Sequence, residues 1–330
     1  MTGEPSILQS DQSVNAAPDA LSSYDIAVII PCYNEEIAIA AVVRDFRAAL
    51  PSAQIYVYDN ASSDNTAQVA TDAGAIVRYE ARPGKGNVVR RMFADIEADI
   101  YIMVDGDDTY EAAAAPRLIQ KLIDEQLDMV NGARITDIKA AYRPGHRFGN
   151  ALFTGIVGSV FGRQFSDILS GYRAFSHRFV KSFPALSAGF EIETELTIHA
   201  LELRMPVGEI ETIYNDRPED SESKLNTIRD GFRIMMTIVR LAKAERPIGF
   251  FGGIAAVLAL VSVILAVPLI HTFLETGLVP RVPTAILSSA IMLLACLSLV
   301  CGLIIDAVTR ARREIRRLQY LQYERLEKRP

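Results

Sequence analysis

The sequence predicts an α/β fold, a doubly wound and mostly parallel sheet, followed by an amphipathic helix and a hairpin of two transmembrane helices. Three observations carry this expectation. Short apolar runs alternate with segments of helical period from Asp25 to about Arg134, the pattern of successive βαβ units. Polar and acidic residues gather just after those runs, where open α/β sheets place their ligands. Two uncharged stretches, Ile248 to Ile270 and Pro283 to Ile305, are each 23 residues long, enough to cross a bilayer as helices.

Asp25 to Ile30 reads as the first strand and ends in Pro31-Cys32-Tyr33-Asn34-Glu35-Glu36. A helix of Ala, Ile and Val at 3.6-residue spacing follows, closed by Pro51. Gln54 to Tyr58 is a second strand that delivers Asp59, and Asn60-Ala61-Ser62-Ser63-Asp64 is a turn rich in helix-capping residues. A third strand, Ala75 to Tyr79, leads through Arg82-Pro83-Gly84-Lys85-Gly86 into a helix running to about Asp99. The fourth strand, from Tyr101, ends in Asp105-Gly106-Asp107. Two carboxylates flanking a glycine can both reach one divalent cation, and hard oxygen ligands suit Mg²⁺ or Mn²⁺. Acidic residues after strands are also ordinary turn chemistry, so the motif gains its force from its neighbours. A helix from Pro116, a strand from Met129 to Arg134 and a helix opening near Phe190 complete the pattern.

The four strand-end signatures share one edge of the sheet. Pro31, Tyr33, Glu35 and Asp59 offer an aromatic and carboxylates, Lys85 a cation at a glycine-flanked helix start, and Asp105 with Asp107 a metal pair. These are the parts needed to hold a nucleoside diphosphate. Each also has a structural reading, as turn, cap or helix start, but four together at one edge favour a binding site.

Composition narrows the partners. The chain has 330 residues, half of them apolar, and a net charge of −6, which disfavours nucleic acid as a partner. Thr309 to Pro330 holds eight Lys/Arg and three Glu, a net +5, leaving −11 for the remainder. Three cysteines, Cys32, Cys296 and Cys301, form no disulfide framework or zinc spacing. His146, His177, His199 and His271 likewise lack metal-ligand spacing.

The resulting organisation is a flexible tail over 1–23 without a signal-peptide pattern, a folded domain over 24–225, and an amphipathic basic helix over 226–247 suited to the headgroup plane. Two spans within 248–308 and a basic tail over 309–330 follow. Basic residues crowd both outer flanks of the spans, so the positive-inside rule puts the folded domain and both termini in the cytoplasm, on a multi-pass protein of the inner membrane.

With these motifs the sequence resembles the family 2 glycosyltransferases of GT-A fold, within them the polyprenyl-phosphate branch that includes dolichol-phosphate mannose synthases and bactoprenol-phosphate glucosyltransferases. The resemblance covers about Ile26 to Arg246 and the paired spans. It implies that Pro31, Tyr33, Glu35 and Asp59 contact the base and ribose of a nucleotide sugar, that Lys85 sits by the donor, and that Asp105 and Asp107 hold Mg²⁺ or Mn²⁺ on its diphosphate. Arg134, Arg147, Ser170 and Arg173 resemble the acceptor-phosphate set. Arg217 and Lys224, the latter within Ser223-Lys224-Leu225, resemble the late loop that closes on the diphosphate. Thr109 departs from the family pattern, in which many members carry Gln.

The implied reaction is inverting transfer of a sugar, with UDP-glucose favoured over GDP-mannose, UDP-galacturonate or a UDP-amino sugar, to a polyprenyl phosphate such as undecaprenyl phosphate. A lipid phosphate is already an oxyanion and needs positioning more than a base. Were the acceptor a hydroxyl, Asp167 and Glu193 are the candidate bases, although a turn cap and a solvated helix face are their plainer roles. A non-catalytic nucleotide-sugar-binding membrane protein is a third reading, disfavoured by the intact Asp105, Asp107 and Lys85. The absence of Trp argues against a processive synthase. Relatives with paired spans can assemble as tetramers, which makes a homo-oligomer one expected assembly.

Overall fold

A computed structural model describes residues 21–135, 165–187, 189, 191–215 and 247–327. Arg147, Arg217, Lys224, residues 1–20 and nearly all of the expected amphipathic helix lie outside the described residues. The chain forms two compact units, Met1–Lys224 with Tyr320–Pro330, and Leu225–Gln319.

In the first unit the elements run β1 (Ile26–Cys32), α1 (Ile39–Ala49), β2 (Gln54–Asp59), α2 (Thr66–Asp72), β3 (Ile76–Tyr79), α3 (Lys85–Asp95) and β4 (Ile100–Met103). Then come α4 (Ala115–Asp124), β5 (Met129–Ile135), β6 (Arg173–Ser176), α5 (His177–Ser182), α6 (Ile192–Glu202) and β7 (Val207–Ile213). The central strands are apolar because both faces are covered: every residue of β4 is buried, as are Ile26 to Ile30 in β1. Helix α1 turns Ile39, Val42, Val43 and Phe46 inward and α4 turns in Leu118, Ile119, Leu122 and Ile123. These spacings of three and four make one apolar stripe on each helix.

The sheet order is β3-β2-β1-β4-β6-β5-β7. All neighbours pair in parallel except β6, which runs antiparallel to both β4 and β5. This reversed strand shapes the site. Arg173, the first residue of β6, pairs with Met103, the last of β4, so the turn preceding β6 lies at the edge where β4 releases Asp105.

The basic tail expected over 309–330 has more structure than that. Helix α8 (Val282–Leu321) continues through the arginine-rich segment, and the chain beyond it packs on the first unit. Tyr320 is buried and donates its hydroxyl to Asp128 Oδ2 (2.6 Å), the Arg178 guanidinium carbon lies 4.5 Å from its ring centre, and Leu326 packs against the core. Glu327 O accepts the Tyr24 hydroxyl (2.9 Å). At the other terminus Leu21, expected to be tail, is buried.

The second unit contains α7 (Pro247–Thr276) and most of α8. Both helices are long and apolar enough to cross a membrane, and only 11% of each apolar window is buried. A core helix of a soluble protein hides that surface, so the exposed apolar windows suit association with a membrane. The two helices form a hairpin held by small and polar residues, as lipid-embedded pairs are. Ser262 Oγ donates to Ser288 O (2.8 Å) and Ser288 Oγ to Ser262 O (3.0 Å). A Cβ on Gly302 would stand 2.9 Å from Phe251 Cβ, so glycine allows the close crossing.

Candidate active site

The floor of the site is built by the loops after β1 and β2. Asn34, at φ 53°, accepts the Ser63 N–H through Oδ1 (2.8 Å), and its own N–H reaches Ser62 Oγ (2.9 Å). The Glu35 N–H donates to Thr66 Oγ1 (2.8 Å) and Glu36 Oε2 accepts the Asn65 N–H (2.9 Å). These bonds tie the loop that carries Tyr33, 48% exposed, and the buried Glu35 to the segment that follows Asp59. Asp59 is itself buried; Oδ2 accepts the Ser62 N–H (3.3 Å) while Oδ1 has no hydrogen-bond partner. A buried carboxylate oxygen left unpaired is costly, and a ligand's hydroxyl or N–H would satisfy it.

Asn60, which the sequence offers only as a capping residue, fastens the next loop. Its Nδ2 donates to Glu80 O (2.9 Å) and Arg82 O (2.7 Å), and its Oδ1 accepts the Gly84 N–H (2.7 Å). Gly84 sits at φ 119°, a backbone state that favours glycine, and starts α3 with Lys85 as its first residue.

Lys85 turns into the site. Its ammonium bridges Asp105 Oδ1 and Glu193 Oε1 (2.5 Å to the latter), with only 9% of its side chain exposed. Burial alone would lower the Lys85 pKa, but the two carboxylates outweigh it and hold the group cationic well above its usual range. Glu193 is buried rather than on a solvated helix face. Burial raises its carboxyl against the opposing pull of Lys85.

The Asp105-Gly106-Asp107 turn is wedged between β1 and the turn before β6. A Cβ on Gly106 would come within 2.6 Å of Cys32 Sγ, and one on Gly171 would overlap Asp105 Oδ2. Glycines at both positions let the turn pack against β1 and let the Asp105 carboxylate rest against the Gly171 backbone. Thr109, at the departure from the family pattern, donates its hydroxyl to Asp107 Oδ1 (2.6 Å) and orients that carboxylate. Among the described residues no three His, Cys, Asp or Glu side chains group to hold a metal. An all-oxygen pair of carboxylates fits a Mg²⁺- or Mn²⁺-type ion that takes its remaining ligands from water and substrate phosphates.

Two tyrosines join this turn to Arg134. Tyr110 accepts the Gly171 N–H at its hydroxyl (2.9 Å), and its ring packs on Tyr214 at 5.2 Å between centres. The Arg134 guanidinium carbon lies 5.4 Å from the Tyr214 ring centre. Burial raises the Tyr214 hydroxyl's pKa, Asp107 adds to the rise, and Arg134 opposes it.

Arg134 is paired with Asp167. Arg134 Nε donates to Oδ2 (2.6 Å) and Nη2 to Oδ1 (2.9 Å). Burial alone would raise the Asp167 carboxyl, but Arg134 overcomes this and holds it below the usual carboxylate range.

Ser170 and Arg173, read as acceptor contacts, lie in the interior. Ser170 Oγ donates to Gly132 O (2.6 Å). The fully buried Arg173 donates to Ile168 O (2.7 Å), Thr197 Oγ1 (2.8 Å) and Ser170 O (3.0 Å). Burial lowers its pKa to about 10. With its guanidinium occupied in this way Arg173 orders the turn before β6.

Residues 27–182 match the model of the glycosyl transferase family 2. The chain is 61% identical to protein RfbJ of Shigella flexneri over 38% of its length and 98% of that protein. It is 33% identical to glycosyltransferase AglJ of Haloferax volcanii, over 92% of this chain and 99% of AglJ. The dolichyl-phosphate hexose transferase of the same organism is 27% identical over 67% of this chain and 96% of its own. Among solved structures, glucosyl-3-phosphoglycerate synthase of Mycobacterium tuberculosis, in complex with Mn²⁺ and UDP-glucose, shares the fold with a TM-score of 0.57 at 21% identity, covering 70% of this chain and 83% of that one. The chain thus belongs to glycosyl transferase family 2.

Proposed function

We propose that the protein transfers one sugar from a nucleotide sugar to a polyprenyl phosphate at the cytoplasmic face of a membrane. The observation that carries this reading is the bridge between Tyr110, at the end of the turn that carries Asp105 and Asp107, and Tyr214, over whose ring the Arg134 guanidinium lies. On this reading Arg134 is the cation for the acceptor's phosphate, and Asp105 with Asp107 is the carboxylate pair for the donor's diphosphate. The likeness to a dolichyl-phosphate hexose transferase and the lipid-suited hairpin support a lipid-borne acceptor. The docking of Tyr320 on the first unit supports a topology in which the chain crosses the membrane twice and returns to the side of its catalytic domain.

The acceptor's phosphate oxygen forms the bond to the anomeric carbon as that carbon's bond to the nucleoside diphosphate breaks, with the electron pair leaving on the diphosphate. A displacement of this kind inverts the anomeric centre. An acceptor that arrives ionised needs no base, in keeping with Asp167 being committed to Arg134 and Glu193 to Lys85. Asp59 and Tyr33 receive the nucleoside, and Lys85 fixes the Asp105 carboxylate. A Mg²⁺ or Mn²⁺ held by Asp105 and Asp107 supplies charge neutralisation to the diphosphate when bound. Outside the described residues, Arg147 is carried as a second acceptor-phosphate contact and Arg217 with Lys224 as the loop on the diphosphate. UDP-glucose is the favoured donor, ahead of GDP-mannose, UDP-galacturonate and UDP-amino sugars.

The test is radiolabel incorporation by detergent-purified protein with undecaprenyl phosphate, each nucleotide sugar in turn, and Mn²⁺ or Mg²⁺. The expected result is a labelled lipid with one donor, dependent on metal and lost in Asp107→Ala. Donor hydrolysis without labelled lipid, or label moving only to a hydroxyl acceptor, would sink the lipid-phosphate reading and turn attention to Glu193 as base.

A further inference from the structure

Asp167 enters the sequence reading as a candidate base and leaves the structure as something else. It is buried within the turn before β6, which is itself tied down from two sides. The Ser166 N–H donates to Glu209 Oε1 (3.0 Å) and Oε2 (3.1 Å), and Asn131 Nδ2 donates both to Asp167 O (2.8 Å) and to Glu209 Oε2 (3.0 Å). The Asp167 carboxylate is aimed by its own turn, since Oδ1 also accepts the Leu169 N–H (3.2 Å). Against this fixed fork Arg134 lays Nε and Nη2 in a bidentate pair, and Oδ2 takes the Arg134 backbone N–H as well (3.3 Å). The Tyr214 ring packs against the same guanidinium. A side chain with four rotatable bonds is thereby reduced to one orientation before any ligand arrives.

We infer that Asp167 is a positioning residue for the acceptor, holding the Arg134 guanidinium where it receives the lipid's phosphate. The inference rests on the reading of Arg134 as an acceptor-phosphate contact. It differs from the base role in what it leaves alone. A base acts on the rate of the chemical step and titrates in the pH profile, whereas a positioning residue acts on acceptor binding through Arg134.

The experiment uses the protein in detergent with undecaprenyl phosphate and the nucleotide sugar that the incorporation assay selects, comparing wild type, Asp167→Asn, Arg134→Lys and the double variant. For Asp167→Asn the acceptor KM is expected to rise about tenfold, the scale of releasing one long side chain at a binding site. Its kcat at saturating acceptor, its donor KM and the shape of its pH profile stay as in wild type. Arg134→Lys also raises acceptor KM, and adding Asp167→Asn to it has no further effect. Should Asp167→Asn fail to fold, Asp167→Glu keeps the charge but shifts the guanidinium by one methylene and is expected to raise acceptor KM in the same way. An unchanged acceptor KM in the Asp167 variants, with Arg134→Lys raised, overturns the inference alone. Unchanged acceptor KM in both single variants overturns the underlying reading of Arg134. A fall in kcat with loss of the acidic limb of the pH profile restores Asp167 as a base and equally overturns the inference.

Discussion

Strand β5 has an arginine–aspartate pair at each end, and the two pairs teach different things. Just before the strand, Asp128 is bound by Arg178 through Nε (2.5 Å) and Nη2 (2.7 Å), by Ser176 Oγ (2.8 Å) and by Tyr320 Oη (2.6 Å). Near its other end, Arg134 grips Asp167 with the same bidentate geometry. The difference lies in where the stacked tyrosine leads. Tyr320 covers Arg178 and returns its hydroxyl to Asp128, closing the circuit on itself. Tyr214 covers Arg134 and packs on Tyr110, at the end of the turn that carries Asp105 and Asp107. A buried ion pair that closes on itself is read as structure, and one whose third member packs on the strand-end turn of the candidate site is read as part of that site.

The comparison breaks most visibly at Asp128. Replacing it with Asn leaves the Arg178 guanidinium, 11% exposed, without its counter-charge, at a cost of about 3–5 kcal/mol. Chemical denaturation of the detergent-solubilised protein should show that loss, while the KM values of the surviving folded fraction stay at wild type. A changed acceptor KM would mean the two ends of β5 are not independent. Next comes Gly171→Ala, whose new methyl group would overlap Asp105 Oδ2. Displacing that carboxylate with no change of charge should lower kcat by about 10²-fold, with a smaller change in stability. Full activity would show that Asp105 need not lie against the Gly171 backbone. Smaller again, Tyr320→Phe keeps the ring on Arg178 but removes one hydrogen bond to a charged group, for about 1.5–3 kcal/mol of stability. Thermal melts should register it, and limited proteolysis should cleave the C-terminal segment sooner.

Which parts were legible follows from what a sequence can encode locally. Strands β1 to β5 announce themselves because each alternates with a helix and most are apolar runs. Strand β6, Arg173-Ala174-Phe175-Ser176, is fully buried yet begins with arginine and ends with serine. Its polarity is absorbed by carbonyls and by Asp128, which no local pattern reveals. Strand β7 alternates Glu209 and Glu211 with apolar residues and resembles a polar connection. The strand-end residues were legible for the same reason as the strands. Their partners were not: Lys85 meets Glu193 across 108 residues and Asp128 meets Tyr320 across 192, and charge spacing does not report pairings made by a sheet. Thr109 was legible as a departure from a pattern, but its bond to Asp107 was not.

The Arg134–Asp167 pair also predicts a pH signature. Folding holds the Asp167 carboxyl below its usual range, chiefly by Arg134 overcoming the effect of burial. As pH falls, the unfolded chain therefore takes up this proton first. The stabilisation is fully present above the ordinary carboxylate value of about 4 and is lost as pH falls through the folded value. The gap in Tm between wild type and Asp167→Asn should be constant from neutral pH to about pH 5 and narrow below pH 4, and it should be smaller than the effect of Asp128→Asn throughout. A gap of the same size at pH 3 and pH 7 would mean that Asp167 contributes by packing and neutral hydrogen bonds. Its charge would then not be what sets the Arg134 guanidinium in place.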